Sequence, residues 1–177
     1  MKFFYSLGLF FFPIIIFFSC KEITFQTPQP KGKKELTFFP EGLQGKYKGD
    51  DHRDTLEILK NGFFLGEDFM ELSDSLVLKM YKGFYFLNMR ENTFSSSRVW
   101  NLVVMHPSDS ALTVQSFVQN ENNFNAFVKN IAELVPVDCV KVHDQFIYQI
   151  DPKPRELIKI INKNLLQKVV FKKLQKI

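Results

Sequence analysis

The chain is poor in the side chains that do covalent, redox or metal chemistry: two cysteines and three histidines in 177 residues. With only Cys20 and Cys139 available, a disulfide-stapled scaffold is excluded. His52, His106 and His143 are scattered and fall in no HExxH or zinc-finger spacing. Asp50, Asp51, His52 and Asp54 cluster beside a glycine, but their spacing fits neither an EF-hand loop nor a zinc motif, and they read as a solvated acidic turn. The chain also lacks a P-loop, a dinucleotide fingerprint and a nucleophile elbow. Ser95-Ser96-Ser97 lies in a polar stretch without the strand-turn-helix setting that a catalytic serine needs. No catalytic, cofactor-binding or metal-ligating residue is therefore assigned, and no cofactor is expected.

What is present begins at the N-terminus. Lys2 precedes an apolar run from Phe3 to Phe18, which holds seven of the chain's 21 phenylalanines. Ser19-Cys20 follows it. A positive start, an apolar stretch and a small residue before the cut form the grammar of a secretory signal peptide. The run is shorter than the roughly twenty residues that span a bilayer, and Pro13 interrupts it.

Phe17-Phe18-Ser19-Cys20 resembles the lipobox of bacterial lipoproteins, in the looser form typical of Bacteroidota, with Phe17 where an aliphatic residue is usual. The resemblance covers about twenty residues and implies that Cys20 becomes the first residue of the mature chain. It implies a thioether diacylglycerol on that sulfur and a further palmitate-type chain on the amine. Each buried methylene contributes roughly 0.8 kcal/mol, so two or three chains hold a protein stably on a membrane. The implied location is the bacterial cell envelope, on the outer membrane rather than the inner. Both periplasmic and surface-facing placement fit, because Lys21-Glu22 is not followed by an acidic cluster. With Cys20 acylated, Cys139 has no partner, and its neighbours Val135, Val137, Val140 and Val142 predict a buried, inert thiol.

Residues 1 to 19 are thus expected as signal peptide and 20 to 42 as lipidated cysteine and flexible tether. Pro28, Pro30, Pro40 and several lysines carry no periodicity. Residues 43 to 177 are expected as one globular domain. Within it, alternation around Leu56 and Ile58 followed by Asn61-Gly62 predicts a hairpin into Phe63-Phe64-Leu65. A second hairpin is predicted at Lys82-Gly83, with Leu76, Leu78 and Met80 on one face, and a third joins 98–106 to 111–117. Phe124, Phe127, Val128, Ile131 and Leu134 recur at helical spacing, predicting an amphipathic helix near 121–134. Pro152 and Pro154 open a second helix near 154–166. A hairpin over His143-Asp144 separates the helices, and a closing strand runs from Val169 to Leu174.

These elements add up to a mainly antiparallel β fold, α+β by content. A sheet this long must close or be covered at its edges, so a small barrel or strongly curled meander is expected. Gly45-Lys46-Tyr47 resembles the Gly-x-aromatic start of the first strand in lipocalin-like barrels.

Charge is unevenly placed. Residues 152 to 177 carry eight basic side chains against Glu156, whereas 45 to 151 carry ten basic and fifteen acidic ones. The basic end suits a solvated helix face paired with the acidic sheet, and, as the sharper alternative, an anionic membrane surface or an acidic partner. An exported chain excludes nucleic acid as a partner. Apolar residues alternate onto both faces around Trp100, Leu102 and Val104 on one side and Val99, Val103 and Met105 on the other, which requires cover on each. Two readings follow: a binding module for a small apolar ligand or envelope partner, and a structural or assembly lipoprotein. A hydrolytic enzyme is a third, and would need a histidine within reach of a carboxylate in a cleft. A solid core without a pocket would count against the carrier.

Overall fold

The computed structural model describes residues 21–49, 55–91, 99–119, 121–142 and 145–174. Cys20, the Asp50–Asp54 cluster with His52, Ser95-Ser96-Ser97 and His143 lie outside them. The fold is mainly antiparallel β with two helices, and its sheet curls strongly into a half-barrel.

The sheet is organised around its longest strand, β9 (Trp100–Pro107). One edge of β9 pairs with β8 (Phe84–Arg90), which continues to β7 (Leu76–Tyr81) and β2 (Glu35–Leu36). The other edge forks. Its later residues pair with β10 (Ala111–Ser116), then β14 (Gln167–Lys173), β3 (Gly45–Lys48), β4 (Thr55–Ile58), β5 (Gly62–Leu65) and β6 (Asp68–Glu71). Its first residue, Trp100, pairs with Phe25 of β1 (Lys21–Phe25), which leads to β13 (Gln145–Ile150) and β12 (Val137–Val142). A short strand, β11 (Val118–Gln119), also pairs with β1.

The alternation along β9 divides the core in two. Trp100, Leu102 and Val104 point into a cluster roofed by α1 (Glu121–Ala132) and α2 (Pro154–Asn162), through Phe124, Phe127, Ile131, Leu157, Ile160 and Ile161. Val103 and Met105 point the other way, inside the curl, where Leu56, Ile58, Phe63, Leu78, Leu87, Leu112 and Phe171 converge. Successive strand residues face opposite sides, so a strand apolar at every position needs a core on both.

Residues 21 to 42, expected as a tether, are part of the fold. β1 is an interior strand, its Ile23 and Phe25 buried, and Phe39 and Leu43 plug the inside of the half-barrel. The proline-rich composition misled because this segment is fixed by side-chain contacts as well as periodic pairing. Asn88, fully buried, accepts the Gln29 N–H at 2.6 Å and donates to the Gln29 carbonyl at 2.8 Å. Lys79 donates to the Pro28 carbonyl at 3.0 Å, with Glu35 at 3.9 Å. Burial pushes the Lys79 ammonium below the usual lysine pKa, and Glu35 partly offsets this.

Smaller differences have local causes. Gly45-Lys46-Tyr47 does open a strand, but the third one, between β14 and β4. The first hairpin turns at Lys60-Asn61, with Ile58 opposite Phe63, so Gly62 is already in β5. Its glycine answers to packing, since a Cβ there would sit 2.3 Å from the Met70 carbonyl oxygen and 2.8 Å from the Phe69 ring. Lys82-Gly83 is the two-residue turn expected, both residues at positive φ. Met80, at that hairpin's tip, is exposed while Leu76 and Leu78 are buried. The second helix ends at Asn162, because Asn164 takes a left-handed conformation (φ 53°) that turns Leu165 and Leu166 toward β14.

Candidate functional site

The inside of the half-barrel is occupied by side chains, and a concavity of about 1280 Å³ lies open as a groove among the strand ends. It forms where several strand ends meet: Gly45 and Lys46 open β3, Glu57 and Ile58 close β4 ahead of Leu59, and Lys173 ends β14 ahead of Leu174. Asp109 and Ser110 from the β9–β10 turn, with Glu41 and Gln44, complete the wall. Backbone bonds hold these ends together: Lys173 N–H donates to the Ser110 carbonyl and Leu174 N–H to that of Lys46, each at 2.8 Å.

Three carboxylates and two ammonium groups face this groove. Lys46 pairs with Glu57 at 3.2 Å, and the Lys173 ammonium sits over the Tyr47 ring, 5.7 Å from its centroid. Beneath them, the buried Tyr47 hydroxyl donates to the Leu43 carbonyl at 2.8 Å, and burial raises its pKa above the usual tyrosine value. The groove's lining is charged, with Leu59 and Leu174 as exposed apolar points. Such a surface suits a polar segment with apolar anchors better than a small apolar molecule. Residue spacing gave no hint of it, because its members come from four separate segments.

The far end of the same strands has a different character. β10 and β14 run antiparallel from Ala111 opposite Lys172 to Ser116 opposite Gln167, so the start of β14 lies about 20 Å from the groove at 3.3 Å per residue. At that end β1 begins. Lys21 pairs with Gln119, whose side-chain amide donates to the Leu165 carbonyl at 3.4 Å, bringing the α2–β14 turn alongside. β13 runs parallel to β1, with Ile23 opposite Tyr148, so both strands start at this end. Ile150, Tyr148 and Phe146 share one face of β13 and lead outward: Ile150 is buried, Tyr148 is half-buried against Phe124 with ring centroids 5.1 Å apart, and Phe146 is 68% exposed. Lys163 and Lys168, flanking the turn, are exposed.

Of the residues singled out in the sequence, His106 is exposed at the end of β9, its ring 5.0 Å from that of Phe84. Among the described residues, no three His, Cys, Asp or Glu side chains gather where they could hold a metal ion. Cys139 is exposed, not buried as its valine neighbours predicted. It lies on β12, which ends the sheet path with only β13 beside it, so it is exposed at the sheet's edge although it sits opposite Tyr148 on the face that packs toward α1. The basic side chains of the C-terminal segment are spread over α2 and β14 instead of forming one patch. Lys153 caps the helix, Arg155 and Lys159 lie on it, Lys163 and Lys168 flank the turn, Lys172 and Lys173 close β14, and Lys176 is outside the described residues.

Compared with known proteins, the chain matches no family model, no curated protein and no solved structure.

Proposed function

We propose that this chain is an envelope lipoprotein, anchored through acyl chains on Cys20, whose folded domain is a non-catalytic interaction module that engages a protein partner at the groove. The observation that carries the choice between ligand and partner is the filled half-barrel. Phe39, Leu43, Tyr47, Leu78 and Leu112 are buried where a carrier would keep space, and the groove is open and lined by charge. The anchor itself rests on the lipobox resemblance of Phe17-Phe18-Ser19-Cys20.

Two measurements test this reading. Intact mass of the mature protein, wild type against Cys20→Ala, is expected to show acylation and membrane association only in the wild type. A photo-crosslinking residue placed at Leu59 in the anchored protein is expected to yield a discrete protein adduct, and Lys46→Glu with Lys173→Glu to abolish it. Co-purification of one equivalent of non-covalent lipid, with no adduct, would overturn the partner reading in favour of a carrier.

A further inference from the structure

We infer that the domain rests directly on the lipid surface by the end of the sheet where β1 begins, with Phe146 entering the interface, Lys163 and Lys168 meeting anionic headgroups, and the groove facing away. This rests on acylation of Cys20. A lipoprotein with a long tether can tumble freely; this one has none, because the residue after Cys20 is the first residue of β1, an interior strand. The acyl chains therefore leave the protein at the edge of a rigid sheet, and whatever surrounds Lys21 is held at headgroup depth.

What surrounds it suits that position. Phe146 is the most exposed large apolar side chain among the described residues, and it extends a row whose inner members, Tyr148 and Ile150, pack under the helices. An aromatic at the membrane interface gains by burying its ring while the strand behind it stays fixed. Lys163 and Lys168 are exposed on the turn that Gln119 ties to β11 beside Lys21, and no ion pair to either is found among the described residues. Lysines near an anionic leaflet each contribute about 1 kcal/mol, a term that salt screens. The strands β10 and β14 then act as a strut that lifts the groove about 20 Å from the surface.

The test uses the full acylated protein in vesicles, in a Cys139→Ser background. A nitroxide is attached at Phe146→Cys in one sample and at Ser110→Cys, beside the groove, in another. In vesicles of phosphatidylcholine with phosphatidylglycerol, the label at 146 is expected to be severalfold less accessible to a water-soluble nickel chelate than the label at 110. Removing phosphatidylglycerol should shrink that protection; equal protection without it overturns the part given to Lys163 and Lys168. If the protein is acylated and vesicle-bound but both labels are equally accessible, the orientation is wrong and the anchor stands. If intact mass shows no acyl chains, both fall together.

Discussion

Asn88 pairs with the backbone of Gln29 as a neighbouring strand would, taking its N–H at 2.6 Å and giving a hydrogen to its carbonyl at 2.8 Å. The same amide nitrogen also reaches the Val77 and Phe86 carbonyls at 3.2 Å. One side chain thus replaces a missing stretch of sheet and ties the segment after β1 to β8, 59 residues away. Asn88→Ala leaves a backbone N–H and carbonyl buried without partners, and each such group costs roughly 1–3 kcal/mol. The expected outcome is a loss of about 2–4 kcal/mol in urea unfolding. Asn88→Asp keeps the acceptor but buries a charge, so its stability should fall further as pH rises through the carboxylate range.

Tyr47 predicts an alkaline limit. Its buried phenol holds its proton above the ordinary value of about 10. The folded state therefore keeps a proton that the unfolded chain gives up, so the contribution is whole below that value and is lost as pH rises through the raised one. Tyr47→Phe should cost about 1 kcal/mol at neutral pH, through loss of the bond to the Leu43 carbonyl. It should also flatten the alkaline decline. Unfolding midpoints measured from neutral pH upward check both.

Gly62 predicts a packing defect with little change of backbone preference, since its φ is not positive. Gly62→Ala drives a methyl into the Met70 carbonyl and the Phe69 ring. The expected cost is about 1–3 kcal/mol, with faster amide exchange in β6 than in β9.

Cys139 predicts reactivity without unfolding. An exposed thiol should react with a disulfide reagent in native buffer as fast as in denaturant, to within a small factor. Cys139→Ser should leave stability within about 0.5 kcal/mol of wild type. Protection of the native thiol would mean that β12 is covered.

The fold class, the hairpins and both helices could be read from the chain because each is specified locally. Lys82-Gly83 supplies a two-residue turn by itself, and Phe124, Phe127 and Ile131 announce a helix face within two turns. The apolar run of β9 also announced two covered faces. What escaped was fixed at long range. β1 is five residues long, so its alternation covers only Ile23 and Phe25, and its neighbours lie more than 70 residues on. Cys139 looked buried because valines surround it in sequence, whereas exposure on a strand depends on what covers each face. The groove has no local signature, since strand ends from distant segments meet only once the sheet curls.

That first strand also sets an order of events. β1 pairs with Trp100, Val118, Gln119 and Tyr148 to Ile150, so residues 21–25 have no partner in the chain before residue 100 and lack their parallel neighbour until residue 148. Contacts of such high sequence separation slow folding, because loop closure must precede any gain. A chain threaded N-terminus first through a narrow passage would carry β1 out early and leave its pairing incomplete until β13 followed. Folding would then be a late event, completed only after passage, and ending at the strand where the chain began.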